Sequence, residues 1–191
     1  MIGGYNKGPQ STVEAFNIGL NRSCLVPSLP KPSYGHSSAA TPIGIVVCGG
    51  ETHKKLKGIK GHAKGHIKTC YRSSTENQWG HQWVKFRHLR NPRAYFSMKY
   101  LNGKLWAIGG EQSLNTIEFI DVNNPAEWIV EKTPFSIFGQ CLTELPNNRF
   151  LLTGGNENKV SRIRITETFK LYGFFKFFIP LTNEFNFSTQ T

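Results

Sequence analysis

Four times along the chain an apolar run closes on a pair of glycines. Ile2 precedes Gly3-Gly4, GIVVC precedes Gly49-Gly50, KLWAI precedes Gly109-Gly110 and RFLLT precedes Gly154-Gly155. The second glycines of successive pairs are 46, 60 and 45 residues apart. A spacing near 45 marks a repeated structural unit, and the longer interval marks one unit with an insertion. Trp83 and Trp128 locate it, since each lies 27 residues ahead of the second glycine of the next pair. The extra residues therefore fall between Gly50 and Trp83. A third landmark follows the glycines in STVEAFN (11–17), KTCYR (68–72) and NTIEFID (115–121), each with a Thr just ahead of a strand-like run. The first unit keeps this run but has Ser23 in the tryptophan position.

One unit can be read in full from residues 92–131. AYFSMKYL and KLWAIGG are rich in aromatic and apolar residues and are joined by Asn102-Gly103. Asn-Gly between two such runs predicts a tight β-hairpin, because both residues tolerate positive φ. Gly109-Gly110 ends the second strand, where backbone bends or approaches a neighbour closely. TIEFIDV predicts a third strand, NNPAE a turn, and EWIVE a fourth strand anchored by Trp128. The hairpin recurs in GQCLTELPNNRFLLTGG. Four short strands per 45 residues predict an all-β fold of propeller-blade type.

The apolar run ending in Gly-Gly, the Thr-x-Glu strand, the Trp and the Pro-Arg ahead of the next unit resemble kelch repeats over residues 1–165. The resemblance implies an incomplete kelch-type β-propeller of three to four four-stranded blades, with boundaries near 33, 92 and 136. Residues 92–134 match best, whereas the second unit has Tyr71-Arg72 in place of the Glu. Gly3-Gly4 then ends a second strand whose first strand is missing. A truncated sequence is the expectation, and a short protein completed by another chain is the alternative. The segment after 165, with LYGFFKFFIPL, reads as a degenerate or non-native aromatic tail, and RIRIT (162–166) as a third strand of the last unit.

The chain carries a formal net charge of +11, with 38% hydrophobic and 13% aromatic residues, which argues against a disordered chain. No apolar run is long enough to span a bilayer. The charge concentrates in HKKLKGIKGHAKGHIK (53–68), which holds six Lys, three His and no acid. Gly58, Gly61 and Gly65 predict a flexible loop here. Lys54, Lys55, Lys57, Lys60, Lys64 and Lys68 are its candidate binding residues, for an acidic protein or another polyanion. Nucleic acid is a poor match, because no aromatic is interleaved to stack on bases. His53, His62 and His66 read as solvated loop histidines, and no metal or cofactor site is expected.

Cys48 and Cys70 fall on neighbouring predicted strands, so a cross-strand disulfide is geometrically open to them. The alternative is that all four cysteines, including Cys24 and Cys141, are buried thiols. CLVPSLP, CGG and TCY together resemble kelch-like propellers of some secreted invertebrate proteins. Asn21-Arg22-Ser23 and Asn186-Phe187-Ser188 are sequons that matter in a secreted protein. Both a cytoplasmic and a secreted location stay open.

Glu14, Glu118 and Asp121 recur at repeat positions, which points to structural roles. No nucleophile elbow, phosphate loop or metalloprotease motif occurs. Some kelch-type propellers are copper oxidases related to galactose oxidase, but their ligand motif has no match here. The expected function is therefore non-enzymatic: a protein–protein interaction module acting through rim loops. A secreted polyanion- or glycan-binding propeller is the alternative, and a copper-oxidase fragment a more distant one.

Overall fold

The computed structural model describes residues 1–55, 62–74, 82–133, 136–145, 149–156 and 167–170, and these are all-β. No helix among them is long and apolar enough to cross a membrane. Among the described residues four antiparallel sheets of three or four strands follow one another along the chain, and a separate two-stranded sheet interrupts the second. The first holds β1 (Ile2–Tyr5), β2 (Pro9–Asn17) and β3 (Arg22–Val26). The second holds β4 (Ser37–Thr41) and β5 (Gly44–Cys48), then, after a hairpin of β6 (Glu51–Lys55) and β7 (His62–His66), β8 (Cys70–Ser74) and β9 (Gln82–Phe86). The third holds β10 (Ser97–Leu101), β11 (Lys104–Ile108), β12 (Thr116–Asp121) and β13 (Ile129–Lys132). The fourth holds β14 (Phe138–Leu145), β15 (Arg149–Asn156) and β16 (Glu167–Lys170).

Two expectations are corrected here. The insertion is not a slack loop: Glu51 pairs with His66, Thr52 with Gly65, His53 with Lys64, Lys54 with Ala63 and Lys55 with His62. The ladder satisfies backbone donors and acceptors that a loop would leave to water, and Gly65 takes a paired position rather than a turn. The base is tied down on both sides, by reciprocal Tyr34–Glu51 backbone hydrogen bonds and by Ile67 N–H to the Gly50 carbonyl at 2.9 Å. Gly58 and Gly61 lie outside the described residues. In the fourth sheet the third strand is β16, beyond the boundary expected at 165, and it pairs with Arg149–Leu152. The RIRIT segment and residues 171–191 also lie outside the described residues.

Neighbouring sheets pack face to face. Along β11, Leu105 and Ala107 enter a core shared with Val46, Cys48 and Phe86 of the second sheet. The alternate residues Trp106 and Ile108 enter a core shared with Leu142 and Leu152 of the fourth. This is the period-two consequence of the pleat when both faces are covered. Val13, Leu29 and Val47 close the smaller contact between the first and second sheets. The repeat tryptophans link sheets through their indole N–H groups, Trp83 to the Pro27 carbonyl at 2.7 Å and Trp128 to Arg87 at 2.8 Å. Each acceptor lies just past the last strand of the preceding sheet. The Asn102-Gly103 turn adopts φ of 51° and 74°, as its hairpin role requires.

All four glycine pairs have both residues at positive φ. At Gly109-Gly110 the reason is close approach between sheets. Gly110 N–H donates to the Ile137 carbonyl at 2.8 Å, and a Cβ on Gly109 would lie 2.3 Å from that same oxygen. Gly103, also at positive φ, has nothing nearer than 3.7 Å to such a Cβ. Both alanine substitutions carry the left-handed backbone cost of about 1–2 kcal/mol, but only Gly109→Ala must also separate two sheets. Gly109→Ala is therefore expected to lower the urea midpoint clearly more than Gly103→Ala. Equal shifts would refute this account of the glycine pair.

The segment entering the third sheet is held by a buried ion pair. Arg93 Nη2 donates to Glu118 Oε1 at 2.8 Å, and both side chains are fully buried. Arg93 Nη1 reaches the Gly109 carbonyl at 2.7 Å, and Nη2 also reaches Thr116 Oγ1 at 3.1 Å. The Glu118 carboxylate accepts in addition from the backbone N–H groups of Arg90 at 2.7 Å and Asn91 at 3.0 Å.

Candidate functional site

Each glycine pair hands the chain to a residue at the same end of its sheet: Tyr5, Glu51 and Glu111 in the first three sheets. Glu51 and Glu111 are thus brought together from 60 residues apart by repetition alone. The hairpin register places His66 opposite Glu51. His66 Nε2 lies 3.0 Å from Glu111 Oε2 and 3.4 Å from Glu51 Oε1. Glu51 is only 2% exposed. Its second oxygen, Oε2, accepts a short hydrogen bond from the Tyr34 hydroxyl.

Tyr34 is the centre of an aromatic group. Its ring packs edge-on against Tyr5 at 5.0 Å, His53 at 6.0 Å and Tyr95 at 6.4 Å between centroids. Burial, followed by the Glu51 carboxylate, pushes the Tyr34 phenol far above its usual range, so it stays a donor. Burial also raises the Tyr95 phenol, with the charges of Glu51 and Glu111 adding to it. His36, just ahead of β4, donates from Nε2 to the Ile2 carbonyl at 2.9 Å and accepts at Nδ1 from Ser33 at 3.2 Å. Burial lowers its affinity for a proton, which suits a neutral ring bridging the first two sheets.

The expected lysine cluster is brought together only in part. Lys54, Lys55 and Lys64 lie on the paired strands of the hairpin, and Lys68 is exposed just past it. Lys57 and Lys60 lie outside the described residues. His66 is not a solvated loop histidine, because it sits between two carboxylates. Sequence reading missed the Glu51–His66–Glu111 group, although Gly-Gly-Glu recurs at 49–51 and 109–111 and carries the signal. Cys48 and Cys70 are joined by a disulfide, while Cys24 and Cys141 are exposed free thiols rather than buried ones.

At the opposite end, the second and third sheets leave an open cleft of about 990 Å³. Arg72, Lys85, Arg87 and His88 line it, and no acidic side chain among the described residues does. Burial, and then the charges of Lys68, Lys85 and Lys31, hold the His88 imidazole below its ordinary pKa, in keeping with a positive potential there.

No family profile and no curated protein matches this sequence. A solved structure described as "Structure of YjhT" is similar in fold, with a TM-score of 0.64 at 11% identity. The similarity covers 83% of this chain and 48% of that one, so the chain spans about half the length of the protein it matches. At this identity the likeness bears on fold alone.

Proposed function

We propose that the chain is part of a kelch-type β-propeller that works as a protein-binding module rather than as an enzyme. Serial sheets of three or four strands, repeated glycine pairs of one backbone conformation, and contact of β10 with both β4 and β14 support the propeller reading. The observation that carries the binding reading is that the lysine-bearing hairpin β6–β7 rises from the same end as exposed Tyr5 and half-buried Tyr95. A surface combining tyrosines with a basic arm suits a protein partner with an acidic segment, since aromatic anchors supply contact area and charge supplies steering. A photo-crosslinking residue placed at Tyr5 or Lys68 is expected to capture a partner in a native extract, and one at exposed Ile129 is not. Changing Lys54, Lys55, Lys57 and Lys60 to Gln should reduce capture, as should raised salt. Equal capture from Ile129, or indifference to both charge and salt, would sink the proposal.

The cationic cleft favours a second reading, as a polyanion-binding propeller. It is separable because Arg72, Lys85 and Arg87 belong to β8, β9 and the residue after it rather than to the hairpin. Retention on heparin at physiological salt that depends on Arg72, Lys85 and Arg87, but not on the hairpin lysines, would favour this reading over the first.

A further inference from the structure

We propose that Glu51, His66 and Glu111 form a site for one divalent transition-metal ion, with Zn²⁺ the best match. The three donor atoms lie within 4.8 Å of one another and come from separate segments that the fold holds together. Zn²⁺ bonds imidazole nitrogen and carboxylate oxygen at about 2.0–2.2 Å, so neighbouring ligand atoms around it stand roughly 3–3.5 Å apart. The His66–Glu111 and His66–Glu51 separations of 3.0 and 3.4 Å are edges of that size. One nitrogen and two carboxylate oxygens make a donor set for a borderline ion, whereas Mg²⁺ and Ca²⁺ favour oxygen alone.

Charge and support agree with this. A protonated His66 would neutralise one of the two carboxylates, but a divalent ion neutralises both. The two Glu51 oxygens are divided in role: Oε1 faces His66, while Oε2 is occupied by the Tyr34 hydroxyl. That is the outer-shell arrangement which orients a ligating carboxylate. Glu111 is more than one-third exposed, which leaves an entry side and a flexible third ligand. Three protein ligands leave a coordination position for water or for a carboxylate of a bound partner.

Titrating the metal-free chain with Zn²⁺ against a chromophoric chelator is expected to show one equivalent bound. His66→Gln should weaken that binding at least 100-fold. Glu111→Gln, at a partly exposed position, should weaken it at least 10-fold while leaving the urea midpoint of the metal-free protein in place. Tyr34→Phe, which removes only the positioning hydroxyl, should weaken it about 10-fold. With Co²⁺ the bound ion should give d–d absorption without a thiolate charge-transfer band, and Cys24→Ser, Cys141→Ser and His62→Gln should change nothing. Absence of stoichiometric uptake, uptake that survives His66→Gln, or a thiolate band would each overturn the proposal.

Discussion

Replacing Arg93 by Met is expected to lower the free energy of unfolding by about 3–5 kcal/mol, the usual cost of breaking a buried ion pair from one side. The reason is what remains. Glu118 stays at zero exposure, with the Arg90 and Asn91 N–H groups and the Asn91 side-chain amide as donors but no guanidinium. The Gly109 carbonyl and Thr116 lose their Arg93 donors as well. Two charges removed together cost less than one, because apolar side chains of similar volume can replace a buried pair at little or no net loss. The Arg93→Met/Glu118→Met double variant should therefore recover a substantial part of the single-variant loss, read from urea midpoints at constant m-value. A double variant whose loss equals the sum of the two single losses would show that the pair does not act as a unit.

The second large effect attaches to the Cys48–Cys70 disulfide. The two cysteines are directly opposed on β5 and β8, with Cα atoms 4.1 Å apart, and both are buried in the core between the second and third sheets. They close a loop with a sequence separation of 22 residues. Loop-closure entropy assigns such a crosslink about 3 kcal/mol. Cys48→Ala/Cys70→Ala should lose roughly that much, and the double variant should no longer respond to reductant. An alkylating reagent applied to the unfolded but unreduced chain should modify Cys24 and Cys141 only, and all four cysteines after reduction. Modification of all four without reductant would remove the crosslink from the account.

The strand order was legible because it rests on short-range signals. Asn102-Gly103 dictates a hairpin, the unbroken apolar run Leu105–Ile108 suits a strand covered on both faces, and Gly49-Gly50 and Gly109-Gly110 follow directly on β5 and β11. What sequence could not supply was the meeting of residues from different repeats. The insertion reads as loose because its glycines and lysines are loop-like in isolation. It pairs because Glu51 is anchored to Tyr34 and Ile67 to Gly50, contacts fixed by the neighbouring backbone. His66 then stands beside Glu111, 45 residues away, through the register of one hairpin and the stacking of two sheets. Glu118 was read as structural from its repeat position, but its partner Arg93 could be identified only once β12 was seen to lie beside the segment that opens the third sheet.

The serial packing of the sheets has a consequence for cooperativity. Among the described residues each apolar cluster joins only adjacent sheets, and the N–H bonds of Gly4, Gly50 and Gly110 lead only to the segment entering the next sheet. Coupling is therefore of nearest-neighbour type, as in a short one-dimensional array. The third sheet belongs to the two largest clusters, while the first sheet is held by the smallest. Opening of the first sheet breaks one weak coupling, but opening of the third breaks two strong ones. Local fluctuations should accordingly be graded along the array, with the Glu51–His66–Glu111 group lying across the junction of its second and third members.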